Sequence, residues 1–459
     1  MRAATTILLA TCAAAQVRLP SSTKQTASNG AVIIMAQKSD VPLMNLQLVF
    51  RGGSESDPAG MAGLSSVTAE LIRRGTASRT ADQIAAQFDF LGANLNTSSD
   101  QQSIRIAVDF MSKDLDRVLE ILTDVVAHPA FPESEVKKVL SQRIDAAKAS
   151  KDNPGGAINS YFRPFFFPAA HPYHPVPDEI SLAKIGRDQI AAFYKAAFTG
   201  RNLILVATGD FKPETTAPKI AALAGALPAG EAYDWKKSPS AIQFNGTRLV
   251  LIDKPDATQT YFLIGQPGVD HNNPDRVPLQ IVNTLFGGRF TSMLNDELRV
   301  SSGLTYGARS YFERDRLPGA LVISTYTKTD STVQAIDMAL DVLKRLTAKG
   351  LNAEQLASAK AYIKGGFPTE RLETAGQVAA TLAELELFGL SKGEIDDLFA
   401  RIDAVSLEQA NAIAKKYYRG ENLQFVLIGN ASKIQDAVKK YAPSSTKVVS
   451  IKQPGFETN

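Results

Sequence analysis

An arginine and a tyrosine stand seven residues apart in the segment RVSSGLTYGARS, and both side chains can donate hydrogen bonds to a negatively charged oxygen. They are Arg299 and Tyr306, with Gly303 and Leu304 between them. The residue types alone leave a structural interpretation open, in which Arg299 lies on the surface at a helix end and Tyr306 is a core aromatic residue on the next strand. The role of the pair therefore depends on the elements that position it.

A glycine pair precedes this segment in the sequence FGGRF, at Gly287 and Gly288. Glycines before a helix can form a loop that guides a substrate, but they more often form a tight turn between elements. We expect the turn, and we treat Gly287, Gly288 and Gly303 as candidate substrate-binding positions.

Few residues of this chain offer a nitrogen or sulfur ligand to a metal, because it contains four histidines and one cysteine. His171 and His174 lie in HPYHPVP, whose three prolines prevent a helix that would bring both side chains to one ion. His128 ends a predicted helix, where an imidazole suits the helix dipole. His271 lies in a predicted loop, where we expect it to be solvated. No metal site is expected from these histidines.

The chain contains an internal repeat, with the two copies 220 residues apart. RNLILVATGDF begins at Arg201 and ENLQFVLIGNA begins at Glu421, and both have Asn-Leu at the second and third positions and glycine at the ninth. Each copy predicts a buried strand that follows a helix and ends in a glycine turn. Two homologous domains are the simplest explanation.

Short apolar segments alternate with longer segments of helical spacing in both halves, a pattern that predicts an α+β fold. We expect two homologous tandem α/β-sandwich domains at residues 28–230 and 247–451. The segment 231–246 is polar, contains Pro, Gly and Ser and has no clear periodicity, so it is predicted to be a linker. Each half is then expected to carry a complete set of core-forming elements.

The composition is that of an ordinary globular protein, with 44% hydrophobic residues and 50 basic against 47 acidic residues. No run of like charges is present, which argues against nucleic-acid binding. Residues 1–15 combine one basic residue, a short apolar stretch and a run of alanines, which predicts a signal peptide and a periplasmic protein. A cytoplasmic location and a lipid anchor at Cys12 are the less favoured alternatives. No later stretch of about 18 apolar residues exists, so no transmembrane segment is expected.

These motifs resemble those of the pitrilysin, insulin-degrading enzyme and mitochondrial processing peptidase family, the inverted zinc-motif peptidases. The resemblance extends over nearly the whole chain after about residue 30. It rests on FRGGSESDP, GMAGL, RRGT, HPYHP, NLILVATGDF and, most specifically, GGRFTSMLNDELRVSSGLTYGARS. It implies two α+β domains that form half of a clam-like chamber around a peptide.

Active members of that family carry His-x-x-Glu-His on the helix after Gly-Leu, where two histidines bind one zinc and the glutamate is the general base. Here the segment GLSSVTAELIRRGT places Ser66, Ala69 and Glu70 in those positions. A glutamate further on is the third ligand in the family, and this chain has Asp145 and Ala146 in that neighbourhood. The resemblance therefore implies that this chain binds no cofactor and that zinc lies in a partner subunit.

The family pattern Leu-Arg-x-x-x-Gly-Leu-x-Tyr is matched by this chain at Arg299, Gly303, Leu304 and Tyr306. In the family, this arginine and tyrosine stabilise the oxygen of the scissile carbonyl, which becomes negatively charged during hydrolysis. The resemblance implies a non-zinc subunit of a heterodimeric zinc metalloendopeptidase, inactive alone, that hydrolyses peptides or unfolded proteins with a paralogous zinc-bearing subunit. The alternatives are a scaffold, as in the core proteins of respiratory complexes, and a homodimeric peptide-binding protein without catalysis.

Overall fold

The computed structural model describes residues 17–235 and 242–458. The signal peptide predicted at residues 1–15 and residues 236–241 of the predicted linker lie outside these ranges. The remainder of the predicted linker, 231–235 and 242–246, contains no helix or strand. Within the ranges described, no helix is long and apolar enough to cross a membrane.

Within residues 17–235, the first half of the chain contains six strands and eight α-helices. The strands are β1 (Ser22–Thr26), β2 (Val32–Gln37), β3 (Leu43–Arg51), β4 (Asn94–Ser99), β5 (Ser103–Met111) and β6 (Leu203–Gly209). The helices are α1 (Leu64–Leu71), α2 (Ala81–Phe90), α3 (Leu115–Ala127), α4 (Glu133–Ser150), α5 (Pro154–Phe166), α6 (Glu179–Leu182), α7 (Arg187–Ala197) and α8 (Pro213–Gly225).

In the second half, residues 242–458 contain six further strands and nine α-helices. The strands are β7 (Arg248–Asp253), β8 (Gln259–Pro267), β9 (Ala308–Arg314), β10 (Pro318–Lys328), β11 (Gln424–Gly429) and β12 (Thr446–Ser450). The helices are α9 (Arg276–Asn283), α10 (Met293–Asn295), α11 (Thr332–Lys349), α12 (Ala353–Arg371), α13 (Ala375–Leu387), α14 (Gly393–Asp396), α15 (Leu398–Ala404), α16 (Leu407–Tyr417) and α17 (Ala431–Val438).

The two six-stranded sheets share one topology except at one edge. Their strand orders are β1-β2-β6-β3-β5-β4 and β12-β7-β11-β8-β10-β9. Five strands correspond in position and direction, since β2–β6 and β7–β11 are parallel and the remaining shared pairs are antiparallel. The edge strands differ, because β1 is antiparallel to β2 and β12 is parallel to β7. The predicted mixture of helices and sheets in two tandem sandwiches is confirmed.

One face of each sheet packs against the helices of its own half. In the first half, alternate residues of β3, such as Leu46 and Leu48, join Val118 and Leu122 of α3 in one buried cluster. Alternation of this kind follows from the two-residue period of a strand. The second half repeats the arrangement, with residues of β8 and β10 packed against α11. Each half therefore has a core between one sheet face and its own helices.

The opposite face of each sheet is covered by a helix from the other half. Val378 and Leu382 of α13 pack on Val49, Ile204 and Val206 of the first sheet. This contact explains why β3 is buried almost throughout, although it is not a uniformly apolar strand. The two halves of the chain thus exchange one helix each.

In the reciprocal contact, α5 of the first half packs on β8 and β11 of the second sheet. Its Phe162 lies so close to the sheet that a Cβ atom added at Gly265 would be 2.5 Å from the Cζ atom of the ring. The repeat predicts that α5 and α13 occupy equivalent positions in the two halves. It does not predict that each helix packs on the sheet of the other half, because an amphipathic pattern does not identify the sheet on which a helix packs.

Buried polar contacts also join the two halves. Arg316, just after β9, forms an ion pair with Glu55, whose side chain is fully buried in the first half. The backbone amide of Leu317 donates a hydrogen bond to the Tyr173 hydroxyl at 2.9 Å. Because a buried charge without its partner is strongly destabilising, these contacts fix the relative position of the halves.

We predict that the exchanged helix is required for the stability of the whole chain. Phe162→Ala should lower the free energy of unfolding by about 3–5 kcal/mol, since it leaves a cavity between α5 and the second sheet. The matched control is Phe90→Ala, because Phe162 is 1% exposed and Phe90 is 89% exposed. Denaturant titrations of both variants make the test, and equal, small losses would show that α5 contributes little to stability.

Candidate functional site

A cavity of about 490 Å³ lies in the second half, beside the loop between α10 and β9. The structure brings Arg299, Tyr306, Gly287 and Gly288 together in its lining, and Gly303 lies outside the lining. Strands β8 to β10, the start of α5 and Tyr362 of α12 form the remaining wall. The cavity therefore contains residues from both halves of the chain.

Arg299 is positioned by an irregular helical segment. Helix α9 continues into a π-helical turn at Thr284–Gly288, and a second π-helical turn, Asp296–Ser301, follows α10 and carries Arg299. Arg345 of α11 holds this second turn through an ion pair with Glu297 at 2.8 Å. The Arg299 guanidinium lies 4.5 Å from the centroid of the Phe290 ring. Isolated π-helical turns of this kind are frequent at functional sites.

The loop that carries Tyr306 is fixed by hydrogen bonds to β10. The Thr327 hydroxyl donates to the Leu304 carbonyl at 2.7 Å, and the Thr325 hydroxyl donates to the Gly307 carbonyl at 2.9 Å. Gly303 has a φ of +65°, in the left-handed region that favours glycine. Its amide donates to the Arg299 carbonyl at 3.2 Å and so ends the helical segment. Gly303 therefore shapes the backbone between Arg299 and Tyr306.

Tyr306 is 79% exposed and lies before β9 begins. The structural interpretation, in which Tyr306 is a core aromatic residue on the following strand, is therefore wrong. Arg299 is half-buried at the end of its helical turn. Within the described ranges, neither side chain forms a hydrogen bond or an ion pair, so both remain available to a ligand.

Gly287 and Gly288 form the wall of the cavity beside β9. A Cβ atom at Gly287 would lie 2.3 Å from the backbone nitrogen of Ser310, so only glycine lets this turn pack against the strand. The Ser310 hydroxyl also donates to the side-chain oxygen of Asn283 at 2.6 Å. The expected turn is present, as a continuation of α9 rather than a strand-to-helix connection.

The positions that match the zinc motif lie on α1 in the other half. The Ser66 hydroxyl donates to the carbonyl of Gly63 at 2.9 Å, and Ala69 is buried. Glu70 is ion-paired with Arg74 at 3.1 Å and with Arg143 of α4 at 2.7 Å.

These residues do not fit a zinc ion. Burial alone would raise the pKa of Glu70, but hydrogen bonds and charge from Arg143 and Arg74 outweigh it and hold this pKa below its usual value. Asp145 is exposed, and the two guanidinium groups would repel a cation. Over residues 17–235 and 242–458, no group of three or more His, Cys, Asp or Glu side chains is arranged to hold a metal.

His171, His174 and His271 contact neighbouring residues, whereas His128, at the end of α3, is exposed. His171 is buried, and burial, followed by the charge of Arg163, lowers its pKa to about 4. The ring of His174 lies 3.0 Å from a carboxylate oxygen of Glu457. His271 is not solvated as expected, because its ring stacks on Phe388 with centroids 3.8 Å apart. Its imidazole contributes to the packing of the second half.

The cavity also contains residues that the sequence analysis did not identify. Arg289 and Arg309 flank the Arg299–Tyr306 segment in the sequence, so their positions close to that segment could have identified them as site residues. Tyr261, Tyr326 and Tyr362 come from β8, β10 and α12. These elements are far apart in sequence, and no local pattern predicts that they meet.

This chain has two tandem sandwiches, an arginine and a tyrosine at a cavity, and a degenerate zinc motif on α1. Together these features indicate the class of zinc peptidases and their inactive relatives. The family model "Insulinase (Peptidase family M16)" matches residues 32–155, and the model "Peptidase M16 inactive domain" matches residues 184–363. Together these models of one family cover more than half of the chain. The chain belongs to peptidase family M16.

The relatives carry both peptidase and non-peptidase names. A "non-peptidase homolog" from Helicobacter pylori is 23% identical over 407 residues, which are 87% of this chain and 92% of the relative. An "uncharacterized zinc protease" from Bacillus subtilis is 21% identical over 86% of this chain and 95% of the relative. The solved structure of a peptidase M16 inactive domain from Pseudomonas fluorescens has a TM-score of 0.82 at 22% identity, with 89% and 98% of the chains covered.

We predict that the purified chain binds no stoichiometric zinc, because the motif positions hold no histidine and their one carboxylate, Glu70, is ion-paired with two arginines. Metal analysis after dialysis against micromolar zinc is the measurement. One tightly held zinc ion per chain would contradict this expectation.

The Glu70 cluster should make stability depend on pH. Because the folded-state pKa of Glu70 lies below the unfolded value of about 4.3, its contribution is present above that value and is lost as pH falls through the folded pKa. Glu70→Gln should cost on the order of 1 kcal/mol at neutral pH and progressively less in acid. Denaturant titrations at several pH values test this. Glu133→Gln, in an exposed ion pair, is the matched control, and a Glu70→Gln difference that does not depend on pH would argue against the assignment.

Proposed function

We propose that this chain is a subunit of a peptide-hydrolysing assembly that has no peptidase activity alone. Its second half supplies Arg299 and Tyr306 to the active site of a paralogous, zinc-bearing M16 subunit. The substrates are peptides or unfolded proteins, and the assembly works in the periplasm. Supporting this proposal is one observation: Arg299 and Tyr306 line the same open cavity and have no hydrogen-bond or ion-pair partner within the described ranges.

The proposed chemistry follows from the two donor groups. Peptide hydrolysis places negative charge on the oxygen of the scissile carbonyl, and a guanidinium and a phenol hydroxyl directed at that oxygen stabilise the transition state. The Arg299 guanidinium donates charge-assisted hydrogen bonds, which are stronger than neutral ones. Tyr306 adds a neutral donor on a loop fixed by Thr325 and Thr327.

The first half supplies no catalytic group in this proposal. In this proposal Glu70 is neither a zinc ligand nor a general base, because both of its carboxylate oxygens are ion-paired with arginines, Oε1 with Arg74 and Oε2 with Arg143. The metal of the assembly would be bound by the paralogous subunit, which the His-x-x-Glu-His motif identifies.

A second candidate function is that of a scaffold or peptide-binding member with no catalytic role at all. The name of the Helicobacter pylori relative, a non-peptidase homolog, favours this candidate, and so does the match to the inactive-domain model. The candidates differ in whether Arg299 and Tyr306 influence turnover, because a scaffold requires neither side chain.

We predict that Arg299→Ala and Tyr306→Phe each reduce kcat by a factor of about 10² to 10³ when this chain is mixed with a zinc-bearing paralogue. Arg299→Lys should restore little activity, because an ammonium group lacks the planar fork of the guanidinium. Peptide turnover and size-exclusion chromatography measure activity and assembly separately.

Arg117→Ala is the matched control, since it removes an exposed arginine from α3 in the other half. It should leave kcat unchanged. If both site variants assemble normally and keep kcat within about twofold of the parent, far less than the loss of an oxyanion donor costs, the scaffold candidate is favoured.

A further inference from the structure

The cavity beside Arg299 has an unusual charge distribution. Its lining, as described, contains three arginines, Arg289, Arg299 and Arg309, four tyrosines and no aspartate or glutamate. The chain as a whole has nearly equal numbers of acidic and basic residues. Positive charge is therefore concentrated at this cavity rather than distributed evenly.

These arginines are not neutralised by carboxylates within residues 17–235 and 242–458. Other arginines of the second half are paired, as Arg276 is with Glu394 and Arg345 with Glu297. Arg289, in contrast, donates only to the Thr291 carbonyl and the Ser358 hydroxyl, at 3.2 and 3.0 Å.

Each cavity arginine lies instead beside an aromatic ring. The guanidinium carbons of Arg289, Arg299 and Arg309 are 5.8, 4.5 and 5.7 Å from the ring centroids of Tyr362, Phe290 and Tyr311. An aromatic face orients a guanidinium without cancelling its charge, and the charge remains available to an anionic ligand.

Arg309 faces the cavity from the sheet. It pairs with Ser324 across β9 and β10, and Tyr326, two residues further along β10, pairs with Tyr261 of β8. Strand alternation therefore places these four side chains on the same sheet face. The Tyr261 and Tyr326 rings stack with centroids 5.0 Å apart and form a rigid floor next to the charge of Arg309.

We propose that this cavity binds acidic side chains of a peptide, and that Arg289 and Arg309 thereby select substrates with Asp or Glu near the scissile bond. The inference rests on the proposed function, in which Arg299 and Tyr306 face the scissile carbonyl from the same cavity. Guanidinium groups bind carboxylates through paired, charge-assisted hydrogen bonds. A volume of about 490 Å³ is sufficient for a peptide side chain and its neighbours.

Peptide binding to the isolated full chain tests this inference without any partner or turnover. The probes are two fluorescein-labelled, unstructured peptides that differ only in a central Glu-Glu or Gln-Gln pair. At low salt, the Glu-Glu peptide should bind about tenfold more tightly, and the ratio should shrink near 0.5 M salt, where charges are screened. Fluorescence anisotropy titrations give both dissociation constants.

Variants locate the preference. Arg309→Gln should reduce the affinity ratio to about threefold or less, and Arg289→Gln should also reduce it, whereas Arg309→Lys should keep more of it because the charge remains. Arg117→Gln, which removes an exposed charge far from the cavity, should leave the ratio unchanged.

Three results would overturn the inference. They are equal affinity for the two peptides, an unchanged ratio in Arg309→Gln, and displacement of the Glu-Glu peptide by inorganic phosphate at similar concentrations, which would indicate a general anion site. All three are independent of whether Arg299 and Tyr306 affect turnover. A failure of the proposed function would leave a carboxylate preference measurable, so the two failures can be distinguished.

Discussion

The exchange of α5 and α13 between the halves is the contact on which the rest of this structure depends. Each six-stranded sheet has two faces, and the helices of its own half cover only one of them. The other face is covered by the helix that the opposite half supplies. Because α5 also lines the cavity beside Arg299, the same contact that completes the second core forms one wall of the candidate site. Stability and site geometry are therefore linked.

The two regions that resemble a peptidase active site are electrostatically opposite. On α1, the single carboxylate at the motif positions is neutralised by Arg74 and Arg143, and nothing is left to attract a cation. At the cavity of the second half, the guanidinium groups lie against aromatic rings and keep their charge. An ion-pair cluster stabilises a fold but binds no ligand, whereas uncompensated charge costs stability and is typical of binding sites.

Much of the fold could be predicted from the sequence, because its strongest signals are local. The glycine-ended strand that follows a helix near Arg201 and again near Glu421 predicted the duplication. The alternation of short apolar segments with longer segments of helical spacing predicted strands and helices in both halves. The pairing of Glu70 with Arg143 could not be predicted, since it joins two helices that are far apart in sequence. The same holds for Tyr261, Tyr326 and Tyr362, which meet only after the strands and α12 have packed. His271 was assigned to solvent because a polar loop gives no sign of the Phe388 ring that covers it.

Under the proposed function, the isolated chain is inactive, and the exposure of the Arg299–Tyr306 region gives a physical reason for this. Hydrogen bonds to a developing negative charge are most effective where water is excluded and the local dielectric constant is low. Tyr306, Phe290 and Val300 are 79%, 63% and 65% exposed, so water surrounds much of this region in the single chain. Exposed apolar side chains around a polar pair are typical of a surface that another molecule covers. A second subunit that closes over these residues would remove that water and strengthen the hydrogen bonds that Arg299 and Tyr306 donate. The loop that carries Tyr306 would not need to change its conformation, because Thr325 and Thr327 already hold it.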